Sequence, residues 1–132
     1  MRVFCEIVAG TREQEIVYAD ELVVAFLCEP PATWGHTLVV PGRHREDIWS
    51  IEADEAAAAM AVAQSLSAVL RDDLGATGIN LRQNSGAGAG QDVFHFHLHV
   101  IPRYHGDPLR LPWTPEPGDR DEIAAAAREL EG

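Results

Sequence analysis

The amino-acid sequence predicts one domain of mixed architecture that is rich in β-strands and crossed by a long helix. Three observations support this: short β-branched runs bounded by Pro and Gly, an alanine-rich stretch with helical periodicity, and a run in which histidine alternates with apolar residues. A chain of 132 residues with a hydrophobic fraction of 46% can bury one core. We expect a single domain over residues 1–132, with its core over about 1–104 and an extended arm and helix over 105–132.

The strands come first in the predicted order. Residues 15–29 contain two apolar stretches separated by Ala-Asp-Glu, which predicts a hairpin with its turn at residues 19–21. Residues 30–35 form a Pro- and Gly-marked loop, and residues 36–44 contain a β-branched third strand that closes at Pro41 and Gly42. The first third of the chain therefore predicts three strands.

A long amphipathic helix follows over residues 51–74, where apolar residues recur at helical spacing (Ala59, Val62, Leu66, Val69 and Leu70). Gly75 is a suitable helix stop. Residues 78–83 and 93–102 predict the fourth and fifth strands, separated by a glycine-rich loop. Four prolines then predict an extended arm, and residues 119–130 predict a C-terminal helix with one apolar face.

Bulk charge limits the partners. The net charge of −11 disfavours a long nucleic acid, whose binding depends on many Lys and Arg residues, whereas a local pocket can still hold one small phosphate. Two cysteines, Cys5 and Cys28, form no disulfide framework, and residues 1–10 do not resemble a signal peptide. Since no apolar run approaches about 18 residues, we expect a cytoplasmic protein without a membrane partner.

Residues 94–100 carry the main chemical signal, because histidine occupies every second position. On a strand, His95, His97 and His99 would share one face at spacings of about 6.6 to 6.8 Å and could surround one phosphate. The opposite face is expected to pack on the core, and it consists of Phe94, Phe96, Leu98 and Val100. Imidazole suits attack and proton donation near neutral pH, and mutual repulsion favours a neutral, nucleophilic middle ring.

Neighbouring residues leave alternatives open. The loop over residues 84–91 alternates glycine with small residues, so its amides could cradle a phosphate. Alternate histidines can also ligate zinc, and His44 and Cys5 keep a structural zinc site open, although no cluster of carboxylates or cysteines completes a catalytic one. The sequence does not distinguish whether His36 is exposed to solvent or faces the site.

The segment HFHLHVI resembles the signature of the histidine triad (HIT) superfamily, and the order of motifs is similar to its bacterial, Hint-like branch. The resemblance covers roughly three-quarters of the chain, through FCEIVAG, VYADELVVAFL, GHTLVVPGRH and INLRQNSGAGAGQ. It implies an α+β fold with a five-stranded antiparallel sheet, a long helix and a C-terminal helix. It also implies a homodimer whose two sheets join into ten strands.

By the same resemblance, the chain acts at the α-phosphate of a nucleotide without a cofactor or a required metal. His97 matches the nucleophile that forms a nucleotidyl-histidine, His99 the phosphate-binding and proton-handling ring, and His95 and His36 the supporting histidines. Two further groups match the nucleotide-binding positions. Those around the phosphate and leaving group are Asn84, Gly90, Gln91, Asp92 and Val93, and those of the base and ribose pocket are Phe4, Ile7, Phe26, Leu27 and Cys28.

The chain departs from the family pattern at three positions. Cys28 stands where relatives commonly carry Asp or Asn beside the ribose, and Asp92 stands where a hydroxyl residue is common. Relatives that bind zinc near the start use paired cysteines, whereas here Cys5 is followed three residues later by Val8.

These observations leave four hypotheses for the function. The leading one is a purine nucleoside phosphoramidate hydrolase, and the alternative is a dinucleoside polyphosphate hydrolase. A hypothesis from another class is a nucleotide-binding module without turnover, and the last is a metal-dependent hydrolase, which a chelator would inactivate.

Overall fold

The computed structural model describes residues 3–110 and 113–131. Five antiparallel strands form one sheet in the order β1-β2-β3-β5-β4. The strands are β1 (Ile16–Ala19), β2 (Val23–Leu27), β3 (Thr37–Pro41), β4 (Gly78–Arg82) and β5 (Leu98–Arg103), and the helices are α1 (Val3–Ala9), α2 (Ala53–Leu74) and α3 (Arg120–Glu131). The predicted α+β fold, with its five-stranded antiparallel sheet, long helix and C-terminal helix, is confirmed.

The two faces of the sheet bury two separate apolar clusters. On one face α2 covers β2, β3 and β5, and the buried residues include Val39, Phe96 and Val100. On the other face α1 contributes Phe4 and Ile7 to a smaller cluster with β2 and β3. The histidine-rich segment crosses the sheet between these two layers.

The first hairpin turns through an acidic residue, as its Ala-Asp-Glu break predicts. Asp20 follows β1, and its Oδ1 accepts hydrogen bonds from the backbone amides of Leu22 (2.8 Å) and Val23 (2.9 Å). The carboxylate satisfies these turn amides in place of backbone partners. The prediction of two paired strands in this region is confirmed.

Helix α2 begins and ends through local signals. Glu55 accepts a hydrogen bond from the Glu52 amide at 2.9 Å, which satisfies one donor at the start of the helix. Gly75 adopts the left-handed conformation (φ 77°) and its amide donates to Leu70, so the predicted stop is confirmed.

The fifth strand is shorter than predicted, since it begins at Leu98 and not at residue 93. The Phe96 amide donates to the carbonyl of Arg45 at 2.6 Å, in a loop and not in a neighbouring strand. Phe96, Leu98 and Val100 pack on the α2 side as expected, but Phe94 is 38% exposed, so its expected place in the core is wrong. The period-two alternation therefore extends beyond the paired part of the strand.

The short helix α1 was not predicted from the sequence, and the C-terminal helix α3 lies outside the core. The seven-residue α1 was not predicted, because so short a helix shows little periodicity, and it forms by burying Phe4 and Ile7. Helix α3 has no buried residue, and neither residues 105–110 nor residues 113–119 contain a helix or a strand. Within residues 3–110 and 113–131, no helix combines the length and apolar composition that crossing a membrane requires.

Candidate active site

A cleft of about 500 Å³ lies on the α1 side of the sheet, and three histidines share it. Its lining residues come from α1, from the loops after α1 and β2, from β2, β3 and β5, and from residues 92–97. They are Val3, Phe4, Ile7, Arg12, Glu13, Gln14, Phe26, Cys28, Glu29, Pro30, Pro31, Ala32, His36, Leu38, Asp92, Val93, His97 and His99. The structure thus places His36 in the cleft, which the sequence left open.

His97 is held in one tautomer by the backbone before it. Its Nδ1–H donates to the carbonyl of His95 at 2.8 Å, and the residue is 4% exposed. In the neutral ring, Nε2 then carries the lone pair. The ring centroid of His97 lies 4.9 Å from that of His99, so an atom bound at His97 lies beside the second ring.

A chain of hydrogen bonds fixes the tautomers of His36 and His99. The Ala32 amide donates to His36 Nδ1 at 2.9 Å, so the proton of neutral His36 is on Nε2. That Nε2 lies 2.9 Å from Nδ1 of His99 and donates to it. The proton of neutral His99 is consequently on its own Nε2. One ring of the cleft therefore offers a lone pair and the neighbouring ring offers an N–H.

The surroundings keep His36 and His99 uncharged near neutral pH. Burial lowers the pKa of His36. Burial also lowers the pKa of His99 to about 4, followed by repulsion from His97, His36 and Arg82, while Asp92 acts in the opposite direction. His99 is thus a hydrogen-bond donor in the ligand-free protein and not a cation.

The backbone before His36 passes close to α2. Gly35 has a φ of +91°, and a Cβ at this position would lie 2.9 Å from Cδ1 of Leu74. Any other residue would be strained at this φ and would also displace the end of the Leu74 side chain. This packing seats His36 at the start of β3, opposite His99 on β5.

The apolar end of the cleft is built on α1. The Phe4 ring meets Phe26 edge to face at a centroid distance of 5.5 Å and His97 at 5.1 Å. Ile7 and Leu38 complete this apolar wall. Leu27 does not line the cleft and is 36% exposed, because adjacent residues of a strand point to opposite faces.

Cys28 lies where the chain leaves β2 and lines the same cleft. Its Sγ donates to the carbonyl of Pro30 at 3.6 Å. Burial, followed by the charge of Asp92, raises the pKa of the Cys28 thiol. The side chain at the ribose position implied by the family resemblance is therefore a protonated thiol close to a carboxylate.

The glycine-rich loop lies beside the cleft and contributes none of residues 84–91 to its lining. The Gln91 amide group receives a bond from the Gly86 amide (2.8 Å) and donates to the carbonyls of Glu46 (2.7 Å) and Val93 (3.1 Å). The Gln91 side chain thus links the loop to the backbone on either side of it, and Gly90 forms the turn of the loop with a φ of 92°. Asn84 lines a different cleft, whereas Asp92 and Val93 line the histidine cleft.

His95 does not line the cleft, although its ring lies on the same side of the sheet as that of His97 and both rings contact Phe4. It is 1% exposed, and its Nε2 donates to the carbonyl of Pro41 at 3.2 Å. Its Nδ1 lies 3.5 Å from Cys5 Sγ and 3.3 Å from His44 Nδ1, which is itself 3.4 Å from that sulfur. The three ligand atoms lie within 4.8 Å of one another.

The donor set of Cys5, His44 and His95 fits a zinc ion with three protein ligands. Ligands of a tetrahedral zinc at about 2.0 to 2.3 Å are separated by roughly 3.3 to 3.6 Å, as here. The Nε2–H of His95 is anchored on a backbone carbonyl, which leaves Nδ1 as the ligand atom. A metal here would join α1 to the loop that carries His44 and to the residue whose carbonyl orients His97.

Several lining residues carried no recognisable signal in the sequence, namely Val3, Arg12, Glu13, Gln14 and Leu38. Val3, Arg12, Glu13 and Gln14 reach the cleft through the unpredicted α1 and the loop that follows it, whereas Leu38 lies on the predicted strand β3. Pro30 and Pro31 were assigned to a loop between β2 and His36, and that loop forms one wall.

The fold and the cleft together define a small α+β protein whose paired imidazoles occupy a pocket of nucleotide size. The HIT domain matches residues 9–106, so the chain belongs to the HIT domain family. Membership supports the general class of nucleotide hydrolases and transferases.

Similar proteins include bacterial, archaeal and fungal ones. The protein named Hit from Bacillus subtilis is 38% identical over 118 residues, which are 89% of this chain and 81% of that one. A zinc-bound histidine triad family protein from Mycobacterium smegmatis is 39% identical, with a TM-score of 0.78 and coverage of 98% and 94%. A histidine triad nucleotide-binding protein from Candida albicans is 28% identical, with a TM-score of 0.86 and the same coverage.

Proposed function

We propose that this protein hydrolyses or transfers nucleotides at the α-phosphate through a covalent nucleotidyl-histidine at His97. The observation that carries the proposal is the pair of opposed tautomers. The His95 carbonyl fixes the proton of His97 on Nδ1, and His36 fixes the proton of His99 on Nε2. A nucleophilic nitrogen and an N–H donor therefore stand side by side in one cleft.

In the first step Nε2 of His97 attacks the α-phosphorus and a P–N bond forms. The bond between phosphorus and the leaving group breaks, and its electron pair departs with the leaving group. A phosphate leaves as an anion, whereas an amine takes up one proton from solvent as it leaves. The Nε2–H of His99 donates to a phosphoryl oxygen and stabilises the charge that develops there.

In the second step water attacks the nucleotidyl-histidine and releases the nucleoside monophosphate. The P–N bond breaks, its electrons return to His97 Nε2, and the attacking water gives up one proton to solvent. Replacement of water by another acceptor alcohol or phosphate gives transfer in place of hydrolysis. Division into two displacements gives each step a better nucleophile or leaving group than direct hydrolysis has.

The apolar wall formed by Phe4, Ile7, Phe26 and Leu38 suits a flat base, and we assign the nucleoside to this end of the cleft. A purine buries more surface there than a pyrimidine does. The nucleotide-binding name of the Candida albicans protein, whose fold covers 98% of this chain, supports the assignment. The leaving group is an amine, as in a nucleoside phosphoramidate, or a phosphate, as in a dinucleoside polyphosphate.

Mass spectrometry of protein quenched during turnover tests the proposal. We expect a nucleotidyl adduct on the peptide that contains His97 and no adduct in His97→Ala. His105→Ala is the matched control, because this exposed histidine lies outside the cleft. Nucleotide binding without turnover on a panel of phosphoramidates and polyphosphates would instead assign the chain to the nucleotide-binding modules.

We also propose that a second copy of the chain pairs with the edge of the sheet at β4. This strand is the last in the sheet, and Leu81 is 42% exposed. A groove of about 730 Å³ runs between β4 and α2, where the apolar side chain of Met60 is 51% exposed. Pairing of two β4 strands would satisfy both edges and cover this apolar groove.

A further inference from the structure

Helix α1 carries residues that belong to two different sites. Phe4 and Ile7 form part of the apolar wall of the histidine cleft, whereas Cys5 belongs to the set of possible zinc ligands with His44 and His95. Phe4 and Cys5 are neighbours in the chain, so a shift of α1 displaces both of them. The nucleoside end of the cleft and the zinc ligand set therefore share one short helix.

Little besides apolar packing holds α1 on the sheet. The helix has seven residues, whereas an isolated helix shorter than about 12 to 15 residues is marginal in water. The side chain of Glu6 bonds to Arg12, in the loop that follows the helix. Within residues 3–110 and 113–131, Cys5 is the one α1 side chain with a polar partner beyond that loop. The position of α1 therefore depends on Cys5 and on the burial of its apolar side chains.

The opposite side of the ligand set is fixed without a metal. His95 is 1% exposed, and its ring is held by the carbonyl of Pro41, the last residue of β3. His44 follows Pro41 three residues later, and its Nδ1 lies 3.3 Å from that of His95. The ligand set thus has one side on the sheet and one side on the weakly held α1. A zinc ion bound to all three residues would tether α1 to the sheet through Cys5.

Phe4 connects this tether to the nucleoside end of the cleft. Its ring meets the rings of His95 and His97 edge to face, at centroid distances of 5.9 and 5.1 Å, and that of Phe26 at 5.5 Å. If α1 is mobile, it must become ordered when a base packs against Phe4, and the free energy of ordering lowers the affinity for the base. A metal at Cys5 orders the helix before the nucleotide binds.

We infer that zinc bound by Cys5, His44 and His95 raises the affinity of the histidine cleft for nucleotides by fixing α1. The inference rests on the proposed function, because that proposal assigns the nucleoside to the wall at Phe4. Coupling between two binding sites is reciprocal, so the nucleotide raises the affinity for zinc by the same factor.

The coupling acts on binding and not on the chemical step. The carbonyl that orients His97 belongs to His95, whose ring is anchored at Pro41 whether or not a metal is bound. Removal of the metal therefore leaves the nucleophile in place and releases the helix that carries Phe4. Cys5 is accordingly a positioning residue for nucleotide binding.

Calorimetry with adenosine monophosphate tests the coupling on chelator-treated protein and on protein loaded with one zinc ion per chain. We expect zinc to lower the Kd by about tenfold, a value typical of coupling between sites. In kinetics, KM should fall by a similar factor while kcat changes by less than about twofold. Competition with a chromophoric chelator should show that adenosine monophosphate raises the affinity for zinc by the same factor.

The ligand variants should lose the response to zinc. Cys5→Ala and His44→Ala should bind adenosine monophosphate as the zinc-free protein does, with or without added zinc. His105→Ala is the matched control for His44→Ala, because it removes an exposed imidazole that lies outside the ligand set and the cleft. Equal affinity for the nucleotide with and without zinc would overturn the inference, and so would a zinc response that persists in Cys5→Ala.

Hydrogen exchange separates failure of the inference from failure of the proposed function. Zinc should slow amide exchange in residues 3–12 by about tenfold and leave α3, which has no buried residue, unchanged. If adenosine monophosphate binds to neither form and no adduct forms at His97, the proposed function fails. Exchange then decides the tether: slower exchange in α1 that is lost in Cys5→Ala supports it, and unchanged exchange overturns it.

Discussion

Nε2 of His36 lies 2.9 Å from Nδ1 of His99, and the amide of Ala32 donates to the other nitrogen of His36. The bond from the Ala32 amide sets the tautomer of His36, and the bond from His36 in turn sets the tautomer of His99. It fixes which nitrogen of His99 carries the proton in the cleft. His36 is thus a positioning residue, and His99 is the ring that contacts the phosphate in the proposed reaction.

Removal of the His99 ring should slow turnover more than it weakens binding. His99→Ala deletes the donor that faces the developing charge, so we expect kcat to fall by about 100- to 1000-fold. His36→Ala leaves the donor in place but releases its tautomer, so we expect a smaller loss. His36→Gln retains an N–H near His99 and should restore part of it. Steady-state kcat and KM of the three variants are the measurement.

A purely structural role would give a different pattern. In that case His36→Ala and His36→Gln would lower kcat equally, and the loss of kcat would follow the fall in Tm. Such a result would show that His36 does not act through the tautomer of His99. His105→Ala again provides the control for removal of an exposed imidazole.

Folding stability should decrease as the pH falls from about 6.5 towards 4. The unfolded His99 takes up a proton at its ordinary pKa of about 6.5, whereas the folded ring has a pKa of about 4. Within this window the unfolded state binds more protons, so acid favours unfolding, by about 1 to 3 kcal/mol in total. The ionisable groups that act on His99 are His97, His36, Arg82 and Asp92. Denaturant unfolding at several pH values measures the slope.

His99→Asn should reduce the slope of this pH profile, because an amide does not titrate but can still accept a bond from His36. The lowered pKa values of His36 and His95 account for the slope that is left. The difference in unfolding free energy between the unmodified protein and this variant should change with pH only inside the window. A constant difference between pH 7 and pH 4 would show that His99 does not titrate differently in the two states.

The alternation of histidine and apolar residues predicted the site better than it predicted the strand. Side-chain alternation survives in residues 96–100, so His97 and His99 lie on one face and Phe96 on the other. Strand pairing begins only at Leu98, because the Phe96 amide bonds to the Arg45 carbonyl from a loop far away in the sequence. Periodicity contains no information on such a tertiary hydrogen bond.

The different environment of His95 was equally invisible in the sequence. Its partners Cys5 and His44 lie 90 and 51 residues away along the chain. In the glycine-rich loop the composition suggests a role, a phosphate cradle, that the side-chain contacts do not show. Its Gln91 side chain instead accepts a bond from the Gly86 amide within the loop and donates to the carbonyls of Glu46 and Val93 outside it. Local patterns identify the residue types, whereas long-range packing decides which of them meet.

Glu55 should contribute more to stability than an exposed ion pair does. It is 4% exposed and accepts bonds from Arg45 Nε and from the Glu52 amide, both at 2.9 Å. Burial acts to raise the pKa of Glu55, but these hydrogen bonds outweigh it and the pKa is lowered. Glu55→Ala leaves Arg45 without its partner and α2 without its cap, so we expect a loss of about 3 kcal/mol.

Asp72→Ala provides the comparison, because it breaks an Arg71–Asp72 pair whose side chains are 68% and 61% exposed. The expected change is below about 1 kcal/mol. Urea unfolding of both variants measures the difference. Similar losses for Glu55→Ala and Asp72→Ala would contradict the stabilising role of the buried pair.

Zinc should bind to Cys5, His44 and His95 and should stabilise the fold. We expect Tm to rise when zinc is added to chelator-treated protein, and turnover to continue in the presence of chelator, since His97 and His99 supply the chemistry. Cys5→Ala should abolish the zinc-dependent rise in Tm. Cys28→Ala is the matched control, because its thiol lies in the nucleotide cleft. An unchanged response in Cys5→Ala would exclude this ligand set.

The proposed pairing of two β4 edges predicts different effects on dimer formation for substitutions at two equally exposed positions of α2. Met60 and Val69 are both 51% exposed, but only Met60 lines the groove beside β4, whereas Val69 faces the groove beside β1. Burial of a carboxylate in a dimer interface is unfavourable, so Met60→Asp should weaken association strongly and Val69→Asp should not. Light scattering over a concentration series should give twice the chain mass for the unmodified protein and Val69→Asp, and lower values for Met60→Asp. A monomeric unmodified protein, or equal dissociation of both variants, would rule out association through β4.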